Sequence, residues 1–91
     1  MALGDGERAL ADALKARSIN PLWAKGHYRV GQAYMAVRRW EDAGVAFFDG
    51  LKLDPNNDSF KKAVQNAVAK GREEHEKQQA AAAGAKKGPS A

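Results

Sequence analysis

The chain has 91 residues, no cysteine, and 15 Lys or Arg against 11 Asp or Glu, which gives a net charge of +4. This length allows one small domain that buries about 60 to 65% of its unfolded surface. The lack of cysteine excludes disulfides and thiolate metal sites. Because no apolar run approaches the roughly 18 residues of a membrane-spanning helix, and the first residues lack signal-peptide features, we expect a cytoplasmic protein with no membrane partner.

The positive charge is spread along the chain, which argues against a nucleic-acid partner. Residues 1–69 hold 10 Lys or Arg against 8 Asp or Glu, and residues 70–91 hold 5 against 3, so neither part is a dense basic arm. His27 and His75 lie far apart with no carboxylate or cysteine cluster, so we expect no metal. Neither a nucleophile-base arrangement nor a glycine-rich phosphate loop is present, which predicts a protein that is not an enzyme and holds no cofactor.

A period of 34 residues relates the start of the chain to its middle. Residues 1–21 align with residues 35–55. The identical pairs are Met1 and Met35, Ala2 and Ala36, Glu7 and Glu41, Ala9 and Ala43, and Pro21 and Pro55. Such a period indicates a structural repeat. The first predicted helix, residues 6–17, is then the second helix of a truncated repeat, which spans residues 1–20. Its apolar side chains would lack one neighbour, so self-association through this helix is left open.

The middle of the chain contains two helical patterns, predicted over residues 21–37 and 40–53. Their apolar and small residues recur at spacings of three and four. The first set is Trp23, His27, Val30, Gly31, Tyr34 and Val37, and the second is Trp40, Ala43, Phe47, Gly50 and Leu51. Small residues in these sets, Gly31 in the first and Ala43 and Gly50 in the second, would let two antiparallel helices approach closely, at a cost of roughly 1 kcal/mol in helix propensity per interior glycine.

Asparagine or aspartate followed by proline precedes two of the predicted helices. Asn20-Pro21 and Asp54-Pro55 have the pattern of an N-cap side chain followed by proline at the first helical position. The fourth helix is therefore predicted over residues 55–79. Its outer face is polar, as expected of a helix that caps a repeat array. From residue 80 onward the sequence has no large apolar side chain, so residues 80–91 are predicted to be a disordered tail.

These features together resemble the tetratricopeptide repeat, a 34-residue helix-turn-helix unit. The resemblance rests on Gly31, Tyr34, Ala43, Phe47 and Pro55. Two sites differ from the usual pattern, because His27 stands where an aromatic residue is common and Gly50 where alanine is common. The resemblance implies an all-α solenoid of about four antiparallel helices. Residues 21–54 would form a complete repeat and residues 55–79 the C-terminal capping helix.

A polar stripe on the second helix is the candidate site. It contains Lys25, Tyr28, Arg29, Gln32 and Ala36. Lys25 and Arg29 are four residues apart, so they share one helix face with about 6 Å between their Cβ atoms. Two neighbouring cations favour an anionic ligand, because a hydrogen bond from a charged donor contributes about 1.5 to 3 kcal/mol. The alternative is an ordinary solvated helix face.

The run Trp23-x-Lys25-Gly26-x-x-Arg29 resembles the third repeat of the carboxylate-clamp tetratricopeptide domains of co-chaperones. In that subfamily the Lys and Arg grip the Glu-Glu-Val-Asp tail of the 70- and 90-kDa heat-shock chaperones. The resemblance implies a peptide-binding adaptor in which Lys25 and Arg29 are the clamp cations. Tyr28 and Gln32 would be groove neighbours, and Lys62 and Asn66 on the fourth helix would be further candidates. The subfamily's other clamp residues have no counterpart in this sequence.

Two other functions remain open at this stage. The repeat could be a structural scaffold that binds a partner helix through the apolar residues Leu10 and Leu14 of the first helix. The basic tail could also bind nucleic acid. For the remaining aromatic and histidine residues, the spacing predicts core packing for Tyr34, Trp40, Phe47 and Phe60, a packing role for Trp23, and a packed, hydrogen-bonded His27.

Overall fold

Four helices form the chain in the computed structural model, which describes the backbone of residues 4–86 and the side chains of residues 4–79. They are α1 (Asp5–Ile19), α2 (Ala24–Ala36), α3 (Trp40–Leu53) and α4 (Asp58–Lys86). Each helix packs against the next one in the chain. The predicted all-α helix-turn-helix fold is confirmed. None of the helices within this range is long and apolar enough to cross a membrane.

Two glycines allow aromatic rings from the following helix to pack against the backbone. The ring of Phe47 lies so close to Gly31 that a Cβ atom at residue 31 would overlap it, and the ring of Phe60 lies equally close to Gly50. Both rings are buried. Tyr28 links them, with ring centroids 5.3 Å from each. The close approach predicted at Gly31 is therefore confirmed, and the same contact recurs one helix later.

Tyr34 and Trp40, which were also predicted to pack in the core, are half-buried and so more exposed than Phe47 and Phe60. His27 is buried, and its Nε2 lies 2.7 Å from the carbonyl oxygen of Pro21. Because that carbonyl can only accept, Nε2 carries the proton and donates it. The predicted packed and hydrogen-bonded histidine is confirmed, and it ties α2 to the turn that precedes it.

The N-caps predicted at Asn20 and Asp54 are wrong. Each of these residues instead opens a turn. The N–H of Trp23 donates to the carbonyl of Asn20 at 3.2 Å, and the N–H of Asn57 donates to the carbonyl of Asp54 at 3.1 Å. Asparagine or aspartate followed by proline suits the first two positions of a β-turn as well as it suits a helix start. The helices begin after these turns, three residues later than predicted.

Helix α4 has a different N-cap from the predicted one, and it ends later in the chain than predicted. The Oδ1 atom of Asn57 accepts hydrogen bonds from the N–H groups of Ser59 at 2.9 Å and Phe60 at 3.4 Å. The helix continues to Lys86, whereas the sequence predicted a disordered tail from residue 80. Alanine has the highest helix propensity, so a lack of large apolar residues does not by itself end a helix. The rest of the predicted tail, residues 87–91, lies outside the described residues.

The turn between α2 and α3 places a non-glycine residue in the left-handed region. Arg38 has a φ of 62°. Its N–H donates to the carbonyl of Met35 at 3.0 Å, and the N–H of Arg39 donates to the carbonyl of Tyr34 at 2.9 Å. This pair of bonds is a Schellman motif, in which glycine is the usual left-handed residue. The Arg38 guanidinium forms an ion pair with Glu74 of α4 and donates a hydrogen bond to its carboxylate. That hydrogen bond lowers the pKa of the Glu74 carboxyl.

We expect Arg38→Gly to be more stable than Arg38→Ala by about 1 kcal/mol. Both variants lose the ion pair with Glu74, but only glycine removes the steric cost of the left-handed conformation. Chemical denaturation of the two variants followed by circular dichroism measures the difference. Equal stabilities would show that the turn does not hold this residue in the left-handed region.

Candidate functional site

A concave groove lies between α2 and the start of α4. One part of it encloses about 340 Å³. It is lined by Lys25, Tyr28, Arg29 and Gln32 from α2, and by Asn57, Ser59 and Phe60 from the beginning of α4. Four of the five α2 residues that the sequence placed on one stripe therefore line this part of the groove.

An adjoining part of the groove contains the two α4 candidates. It encloses about 640 Å³ and includes Lys62 and Asn66. Tyr28, Gln32 and Ser59 line both parts, so the two form one continuous surface, called the α2–α4 groove below. All six residues singled out from the sequence line this groove.

The floor of the α2–α4 groove is part of the core. Tyr28 is half-buried, and its ring packs at 55° to Phe47 and at 87° to Phe60. Phe47 also lines the groove, as do Met35, Ala36 and Trp40. The predicted groove neighbour Tyr28 is thus a packing residue as well as a surface residue.

The walls of the groove carry cations that form no ion pair with the side chains that the structure describes. Lys25, Arg29 and Lys62 are exposed. The ion pairs formed among residues 4–79 include none of the three. The guanidinium carbon of Arg29 lies 5.6 Å from the ring centroid of Trp23. Concave surfaces lined by one sign of charge concentrate ligands of the opposite sign.

Two polar lining residues were missed by sequence reasoning. Asn57 and Ser59 lie at the start of α4 and line the same part of the groove as Lys25 and Arg29. Their role depends on where α4 begins, which the sequence placed at Pro55. The Asn-Asp-Ser run at residues 57–59 was the available indication, since Asn is a strong N-cap residue. The side-chain hydroxyl of Ser59 adds a hydrogen-bond donor and acceptor to the groove.

A second surface, between α3 and α4, is apolar. It encloses about 600 Å³. Among its lining residues Val45, Phe48 and Val68 are 61%, 51% and 51% exposed. The two α1 residues that the sequence suggested for partner binding are more enclosed, because Leu10 is buried and Leu14 is half-buried. At the C-terminal end of α1, however, Ile19 is 76% exposed. Exposed apolar side chains of the described residues therefore occur both between α3 and α4 and at the end of α1.

No cluster of three or more His, Asp or Glu side chains that could hold a metal ion occurs in the part of the chain that the structure describes. The fold and the groove define an all-α helical-repeat protein that presents cations on a concave surface.

Comparison with known proteins identifies homologues of this chain. It is 41% identical over 59 residues to the "Hsp70-Hsp90 organizing protein" of Triticum aestivum, which covers 65% of the chain and 10% of that protein. It is 40% identical over 73 residues to an "Hsp70-Hsp90 organising protein" of Plasmodium falciparum, which covers 80% and 27%. It is 45% identical over 51 residues to "Tetratricopeptide repeat protein 28" of Homo sapiens, which covers 56% and 2%.

These matches and the helix-turn-helix packing show that the chain is homologous to tetratricopeptide-repeat proteins and has their fold. The chain spans between 2% and 27% of the length of these three relatives. No protein-family model and no solved structure matches it at a significant level.

Proposed function

We propose that the α2–α4 groove docks an acidic C-terminal peptide, of the Glu-Glu-Val-Asp type found at the ends of the 70- and 90-kDa heat-shock chaperones. The chain would then act as a co-chaperone-type adaptor and not as an enzyme. The observation that carries this proposal is the pair of exposed cations Lys25 and Arg29, one helical turn apart in the groove and without an acidic partner among residues 4–79.

The chemistry of the groove supports a peptide ligand that ends in carboxylates. Lys25 supplies a compact ammonium, and Arg29 a planar guanidinium that can donate two parallel hydrogen bonds to one carboxylate. Gln32 and Asn66 carry amides, which can both donate to and accept from an extended peptide backbone. Lys62 adds a third cation further along the groove. The names of two relatives, which refer to Hsp70 and Hsp90, support the heat-shock chaperones as the source of the peptide.

Titration of the chain with a peptide ending in Glu-Glu-Val-Asp tests the proposal. Lys25→Ala and Arg29→Ala should each raise the Kd by about tenfold or more, because each removes one charge-assisted hydrogen bond. Binding should also weaken as salt is added. Lys15→Ala and Arg8→Ala are matched controls, since they remove the same charges from exposed positions on α1. An equal loss in the controls, or no loss at either groove residue, would refute the proposal.

The second candidate function is a scaffold that binds another protein through apolar surface. The exposed side chains of Val45, Phe48 and Val68 favour it. Amide chemical shifts on adding a partner separate the two functions. Peptide docking would shift residues of α2 around Lys25, whereas scaffold binding would shift residues between α3 and α4.

A further inference from the structure

We infer that Trp23 is a positioning residue that holds the Arg29 guanidinium at the α2–α4 groove. Its consequence for peptide affinity rests on the proposed function, but the contact itself can be tested without a peptide. Three features of the structure support this role: the backbone hydrogen bonds of Trp23, the packing of its ring on Gly26, and the distance from its ring to Arg29.

The backbone of Trp23 is held on both sides. It is the N-cap residue of α2. Its N–H donates to the carbonyl of Asn20 at 3.2 Å, and its own carbonyl accepts the N–H of Gly26 at 3.0 Å. The backbone of Trp23, from which the indole projects, is therefore held in place relative to α2 by the preceding turn and by the first turn of the helix.

Gly26 provides the surface on which the ring rests. It is buried, and a Cβ atom at this position would lie 3.5 Å from Cε3 of Trp23 and 3.9 Å from the Cα of Arg17. A methyl group would just fit there, but a longer side chain would have to displace either the indole or α1. Residues 23, 26 and 29 follow one ridge at a spacing of three, so the ring extends along α2 toward Arg29.

The guanidinium of Arg29 lies close to the ring of Trp23. The guanidinium carbon is 5.6 Å from the ring centroid, within the range of a cation-π contact. The indole is 40% exposed, so this contact lies at the surface beside the groove. Because a guanidinium carries five N–H donors, a contact with one ring leaves donors for a carboxylate.

Holding the Arg29 side chain before the ligand arrives lowers the cost of binding. A long side chain loses conformational entropy when it is fixed by a ligand. Part of that loss has already occurred if the indole restricts the guanidinium in the free protein. Among the side chains of residues 4–79 no carboxylate forms an ion pair with Arg29, whereas the Trp23 indole makes a cation-π contact with it.

A double-mutant cycle tests the effect on affinity. Trp23→Leu keeps an apolar side chain but removes the aromatic face, and it should raise the Kd for the Glu-Glu-Val-Asp peptide by about two- to fivefold. Trp23→Phe keeps a ring and should recover most of the affinity. In the Arg29→Ala background Trp23→Leu should have no further effect. An equal loss in both backgrounds would show that Trp23 acts on the ligand by another route and would overturn the inference.

The proton NMR spectrum of the free chain gives the peptide-independent test. The side-chain protons of Arg29 should be shifted upfield by the indole ring current, relative to those of Arg8, and Trp23→Leu should abolish that shift. A normal Arg29 shift in the wild-type chain would overturn the inference even if the peptide binds. If the shift is present and the wild-type chain binds no acidic peptide, the contact stands and the proposed function fails. Thermal melts of both Trp23 variants confirm that each is folded.

Discussion

Gly31→Ala should destabilise the chain by about 1 to 3 kcal/mol, although alanine is the better helix former by about 1 kcal/mol. The reason is the ring of Phe47, which a Cβ atom at residue 31 would overlap. Because the ring is buried against Tyr28, it cannot move away without disturbing the packing of α2 on α3. Denaturant unfolding followed by circular dichroism measures the change.

Gly44→Ala is the matched control for this prediction. Gly44 also lies inside a helix, but the nearest atom to an added Cβ is the Cβ of Ala67 at 3.8 Å, an ordinary contact. This substitution should therefore stabilise the chain by about 0.5 to 1 kcal/mol. In a Phe47→Leu background the cost of Gly31→Ala should shrink, because the overlapping ring is gone. If Gly31→Ala is as stable as Gly44→Ala, the proposed close packing of α2 on α3 is wrong.

The double variant Lys25→Ala/Arg29→Ala should weaken binding of the Glu-Glu-Val-Asp peptide on the order of 100-fold. Two independent tenfold losses multiply to this value, since each corresponds to about 1.4 kcal/mol. A smaller combined loss would indicate that the two cations share one carboxylate, because interactions with a common partner are not additive. Fluorescence or calorimetric titration of the wild-type chain, both single variants and the double variant gives the four constants.

Amidating the peptide C-terminus identifies which charge the pair binds. The amide removes the terminal negative charge and should weaken binding to the wild-type chain by about tenfold. It should weaken binding to the double variant much less, because the cations that would recognise that charge are gone. Equal losses in the two proteins would place the peptide terminus away from Lys25 and Arg29.

Much of the fold followed from spacing alone. The 34-residue period and the three-four spacing of apolar residues identified the helix pairs, and Gly31 correctly marked a close approach. The groove stripe was also predictable, because residues four apart on a helix must share a face. A close approach was also predicted at Gly50, but between α2 and α3, whereas the ring that packs on Gly50 is that of Phe60 in α4. The sequence shows a small residue and an aromatic residue but not that they meet.

The remaining errors come from signals that have two meanings. Asn20-Pro21 and Asp54-Pro55 are compatible with a helix start or with a turn, and only the tertiary packing selects the turn. That shift of α4 concealed Asn57 and Ser59 as groove residues. The contact between Trp23 and Arg29 was missed for a related reason. A tryptophan before a helix suggests packing. Whether its ring lies near Arg29 depends on the conformation of the preceding turn, which the sequence does not show.

Tyr28 belongs both to the aromatic core of this chain and to the α2–α4 groove. Its ring is held between Phe47 and Phe60, and it also lines both parts of the groove. A ligand seated on that ring would oppose the separation of α4 from α3, so occupancy and resistance to unfolding should rise together. Equally, a substitution that loosens the packing of Tyr28, Phe47 and Phe60 would change the shape of the groove. Stability and ligand binding should therefore change together when this cluster is substituted.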